Sequence, residues 1–121
     1  MLLPKKFSEI LALNGRDLRG IGINEVALLR KDALEAIQAL KGHQIAVLGG
    51  DVYHEKDGKM RPTHYNWSCE KQKVENPVQF SDRSQRVALG FIKDYNLYPE
   101  AHTFYVLVVA GLGIVGPRTD R

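Results

Sequence analysis

Asp51 and His64 are the two residues of this chain whose types and spacing most readily suggest joint chemistry. They stand in two runs, residues 43–55 and 59–69, joined by Lys56-Asp57-Gly58-Lys59. Asp-Gly tolerates the positive φ of a two-residue type I′ turn, so the runs read as a β-hairpin. In that register 56 faces 59, 54 faces 61 and Asp51 faces His64, with Asn66 diagonal on the same face. A carboxylate orienting an imidazole is half of a base-catalysis site. The other half is missing: Ser68 lies further along that face, but no glycine-flanked turn strains or exposes it. A cross-strand ion pair is the plainer reading. Pro62 leaves room for a bulge that shifts the register, because proline cannot donate to the ladder.

Other chemistries find less support. His43, His54, His64, His102 and Cys69 are scattered, with neither CxxC nor HxxxH, so no metal site is expected. Cys69 reads as a small hydrophobe at a strand end. Gly49-Gly50 matches no phosphate loop. Gly111-x-Gly113 with Gly116 spells GxGxxG, but Pro117-Arg118 leaves no helix to receive a pyrophosphate. No cofactor is expected.

The bulk properties bound the class. With 121 residues, 44% hydrophobic and 26% charged, the chain reads as one domain, 1–121, able to bury a core unaided. No apolar run approaches the ~20 residues of a membrane helix. Met1-Leu2-Leu3-Pro4-Lys5-Lys6 lacks the order of a signal peptide, and one cysteine suits a reducing compartment, so a cytoplasmic location is expected. The net charge of +3 comes from cations interleaved with acids, as in Arg30-Lys31-Asp32. Nucleic-acid binding wants clustered charge and is not expected. No oligomeric state is dictated, and a monomer is the simplest expectation.

The positioning elements follow from periodicity. Pro4 with Phe7, Ile10, Leu11 and Asn14 predicts a helix over 5–14, ended by Gly15 as a left-handed cap. Residues 15–23 read as a loop and 24–30 as an extended piece. Asp32 with Glu35 predicts a capping box opening a second helix that Gly42 ends. Residues 70–79 read as a loop, and Ser81 or Asp82 as the cap of a third helix marked by Ser84, Val87, Ala88, Phe91, Ile92 and Tyr95. Residues 102–110 are a buried strand, and 111–121 a loosely held tail. The fold class is α+β: about three helices on a small, largely antiparallel sheet with the hairpin at its centre.

The hairpin also reads as a surface for another protein. Gly49 and Gly50 are structural in this reading, allowing a bend or close approach, with Gly50 covered by Tyr65 opposite. Trp67 falls opposite Leu48, on the face the helices cover. Asp51, Tyr53, His64 and Asn66 then share the other face, left toward solvent, with the composition of a protein-binding hot spot.

"EVALLRKDALEAIQAL", "IAVLGGDVY", the charged turn, "YNWSCEK" and "SDRSQRVALGFIKDY" together resemble the immunity protein 40 family over about residues 7–109. The GGDVY block with Trp67-x-Cys69-Glu70 is the most specific part. The resemblance implies a bacterial antitoxin that binds a cognate polymorphic toxin domain, without catalysis, and it transfers no contact residues. The alternative from the residues alone is a small enzyme or ligand-binding module using Asp51 and His64. The positive charge disfavours a nuclease target, whose inhibitors commonly present acid, although Glu70, Glu75 and Asp82 could form a local acidic patch.

Overall fold

In a computed structural model, which describes residues 3–111, three α-helices pack on one face of a five-stranded antiparallel sheet. The elements are α1 (Lys5–Asn14), β1 (Arg16–Asp17), β2 (Val26–Leu29), α2 (Arg30–Gln38), β3 (Ile45–Lys56), β4 (Lys59–Ser68), α3 (Pro77–Asp94) and β5 (Thr103–Gly111). Their order across the sheet is β1-β2-β5-β3-β4. The fold is α+β, as the patterning predicts. The expected tail, and with it the GxGxxG match beyond Gly111, lies outside the described residues.

Helix α1 buries Phe7 and Ile10. Gly15 caps it, but at φ −77°, so left-handed geometry is not what requires glycine. Space is: an added Cβ would stand 2.1 Å from Val26 Cγ1 and 2.4 Å from the Leu11 carbonyl oxygen.

Helix α2 starts two residues before the predicted cap. Strand β2 runs straight into it, with Leu28 and Leu29 paired to Tyr105 and Phe104 and Leu29 as an N-cap without a side-chain bond. Asp32 sits inside the first turn instead, where a carboxylate suits the helix dipole, and accepts a 3.2 Å hydrogen bond from Asn14 Nδ2. The helix also stops at Gln38, and Gly42, at φ +82°, belongs to the turn that follows.

Helix α3 likewise begins earlier than predicted. Asn76 accepts from the Gln79 amide and Gln79 Oε1 accepts from the Asn76 amide, both at 2.9 Å, with Pro77 in the first turn. That reciprocal box satisfies two amides that Ser81 or Asp82 cannot reach. Ser81 is buried within the helix.

Two polar side chains of α3 are buried for a reason. Strand β4 pairs with β3 only from Gly49 onward, so residues 45–47 of β3 lack a strand on that side. Ser84 Oγ accepts from the Val47 amide at 2.9 Å and Gln85 Nε2 donates to the Ile45 carbonyl at 2.9 Å. Buried backbone groups need such partners.

The sheet buries two cores. Facing the helices are Val47, Val52, Trp67, Tyr105, Leu107 and Val109. On the opposite face Leu18, Ala27, Tyr53, Met60, Phe104 and Val106 form a second cluster, closed by the segment that carries β1 and a short 3-10 turn, Arg19–Ile21. No described helix is long and apolar enough to cross a membrane.

Candidate docking surface on the β3–β4 hairpin

The hairpin forms at the predicted turn: Lys56 pairs with Lys59 and His54 with Arg61. Beyond Tyr53 and Pro62 the register breaks. Asp51 pairs with Asn66, so a single residue, Val52, faces Thr63, His64 and Tyr65. Proline at 62 donates no amide to the ladder, and His64 takes φ +69° where the extra residues are absorbed. Thr63 plugs the gap, donating its hydroxyl to the Val52 carbonyl at 2.8 Å and accepting the Tyr65 amide at 3.0 Å. The Asn66 side-chain amide donates to the His64 carbonyl at 3.2 Å.

This shift corrects three expectations. Asp51 lies opposite Asn66, so it is not the cross-strand partner of His64. Gly50 lies opposite Trp67, not Tyr65, and Trp67 does not face Leu48. The need for glycine at 50 stands: a Cβ there would meet Trp67 Cη2 at 2.2 Å and the Val106 carbonyl oxygen at 2.4 Å. Gly49 sits where the β3–β5 register also shifts, between Val47 and Gly49.

Tyr53 is the main correction. It is 4% exposed, packed in the second core, because the β1 segment folds back over that face. Burial, with the charge of Glu25, raises its phenol pKa. Of the four proposed contact residues, His64 and Asn66 are exposed, Asp51 is half-buried and Tyr53 is inside.

Residues that sequence reasoning left out of the contact set take its place. Tyr65 is 51% exposed and meets Tyr95 edge-on, at 5.8 Å between ring centroids. Tyr98, half-buried, stacks on His54 at 4.1 Å, and the imidazole Nε2 lies 2.8 Å from the Tyr95 hydroxyl. Desolvation lowers the His54 pKa, favouring neutral imidazole. Arg30 anchors the group from below, donating to the Tyr95 carbonyl and to Glu100. Tyr65 is thus a partly exposed ring with a rigid backing. Sequence reasoning set Tyr65 opposite Gly50; the bulge gives that place to Trp67 and leaves Tyr65 against Tyr95.

Cys69 is buried, and Arg83 Nη1 lies 3.1 Å from its Sγ. The same guanidinium binds Glu75 through Nε at 2.6 Å and Nη2 at 2.8 Å, and donates to the Glu70 carbonyl. Of the envisaged acidic patch, Glu75 is therefore committed to Arg83. Among the described residues no three His, Cys, Asp or Glu side chains gather as metal ligands would. The arrangement can present rings, an imidazole and amides to another surface.

The immunity protein 40 family matches residues 17–109. The chain belongs to that family. The match takes in β2 to β5, α2 and α3, and begins after α1, ten residues later than the resemblance suggested. An immunity family implies a toxin as partner. No curated protein and no solved structure matches the chain.

Proposed function

We propose that this member of the family is an antitoxin: it binds a cognate polymorphic toxin domain and neutralises it by protein–protein contact in the cytoplasm. Family membership across nearly the whole sheet carries this reading. The geometry agrees with it. The bulge sets Asp51 opposite Asn66 rather than His64, so the cross-strand pairing behind the small-enzyme alternative is not the register found, and it leaves His64, Tyr65 and Asn66 exposed on the edge strand.

Part of the toxin-binding surface lies there, with Asp51 at its margin and Tyr65 in the place first given to Tyr53. A ring already braced by Tyr95 loses little conformational freedom on docking, which favours hot-spot behaviour. Contact is made through side chains. Strand addition along β4 is obstructed by Pro62, by the bulge and by Asn66 covering the His64 carbonyl.

The test is co-expression with the toxin domain encoded beside this chain's gene. Restored growth together with a stable complex on size exclusion is the expected outcome. Growth arrest despite full expression of the folded chain would remove the reading.

A further inference from the structure

Between the hairpin tip and the segment covering the second core runs a groove of about 500 Å³, lined by Arg16, Leu18, Ile21, Lys59, Met60 and Arg61 among others. Its floor is apolar: Leu18 and Met60 are buried and Ile21 is 43% exposed. Its mouth is open, since a Cβ on either Gly20 or Gly58 would meet nothing within 4 Å.

Its rim is cationic. Arg16 is held in place by Glu55, at 2.5 Å, and lies over the Phe104 ring, 5.3 Å from the centroid. Asp17, the carboxylate of the lining, is engaged by the Arg19 side chain at 2.6 Å and backbone amide at 2.8 Å, which hold it below its usual pKa. Lys59 and Arg61 are exposed, and among the described residues neither forms an ion pair. Lys56 and Asp57 at the turn roughly offset each other.

We propose that this groove receives an acidic segment of the toxin: aspartate or glutamate side chains against Lys59, Arg61 and Arg16, flanking an apolar residue seated on Leu18 and Met60. The proposal rests on the antitoxin reading and deepens it by naming the partner's chemistry. Charge complementarity carries it. Lys59 and Arg61, without an ion-pair partner among the described residues, beside an apolar floor suit carboxylates next to a hydrophobe and orient the encounter. Arg16, fixed in advance by Glu55 and Phe104, loses little side-chain freedom on binding. Phosphate backbones fit less well, because the charge is confined to one groove and the floor offers them nothing.

The experiment titrates the neighbouring-gene toxin domain into wild type and into a Lys59→Glu/Arg61→Glu variant, at about 0.05 M and about 0.5 M NaCl. Melting temperature checks the fold, and Lys59→Gln/Arg61→Gln serves if the reversal unfolds. Affinity should fall by ~10-fold or more at low salt, and the difference should shrink at high salt. A variant that binds as tightly as wild type overturns the groove and leaves the antitoxin reading standing. A wild type that does not bind the toxin overturns the antitoxin reading itself. Binding of a duplex DNA oligonucleotide that the charge reversal abolishes also overturns the proposal, in favour of phosphate.

Discussion

Trp67 occupies the space that a side chain on Gly50 would need. Its Cη2 lies 2.2 Å from where that Cβ would stand, while the ring itself stacks on Phe91 of α3 at 4.6 Å. The two residues pair across the hairpin, so the glycine lets the tryptophan lie between sheet and helix. Gly50→Val should therefore destabilise by roughly 1–3 kcal/mol through overpacking. Urea unfolding measures it; an unchanged midpoint would show that the ring can simply move.

Tyr53 is a core residue, and truncation should cost stability. Tyr53→Ala should lose about 3 kcal/mol, in the range for large buried rings. Thermal melts of Tyr53→Ala and Tyr53→Phe separate ring from hydroxyl, with the phenylalanine variant expected near wild type.

Tyr65→Ala should behave oppositely. The ring is half-exposed and touches only the edge of Tyr95 among rings described. Toxin binding should weaken by about 2 kcal/mol, on the order of a hot spot, with little change in melting temperature. Calorimetry on the purified pair reads this directly, and normal affinity would move the contact surface away from the bulge.

The two helix starts give a paired test. Asn76→Ala should cost about 1 kcal/mol as a lost N-cap. Asp32→Ala, inside the first turn, should cost only a few tenths, about the value of an exposed charge near a helix end. Equal losses in denaturant melts would contradict the boundaries described here.

Glu75 supplies a pH dependence. The Arg83 hydrogen bonds, foremost, and the Gln72 amide lower its pKa from 4.5 to about 2. A depressed folded pKa contributes stability that is present above the unfolded value and lost as pH falls through the folded one. The melting-temperature gap between wild type and Glu75→Gln should thus be full above pH 4.5 and close toward pH 2. A gap that is flat with pH would mean that the Arg83 contact contributes nothing through charge.

What the sequence determined by itself was local or patterned. Pro4 and the three- and four-residue steps after it set α1, Asp57-Gly58 set the turn, and the β-branched run at the C-terminal end set β5, because each signal acts within a few residues. The GGDVY and YNWSCEK blocks likewise pointed to the family that matches. Starts of α2 and α3 were misplaced for two reasons. At α2 the pairing of Leu28 and Leu29 with β5 overrode the side-chain cap, whereas Asn76-Pro77 was a legible signal that a stronger-looking Ser-Asp pair obscured. The contact surface depended on tertiary structure throughout. Whether Thr63 reaches the Val52 carbonyl, whether Trp67 finds Gly50, and whether residues 16–25 fold back to bury Tyr53 are settled by groups far apart in the chain. One irregularity in the ladder changes the cross-strand partner of every residue beyond it, and no window of sequence contains the partner that causes it.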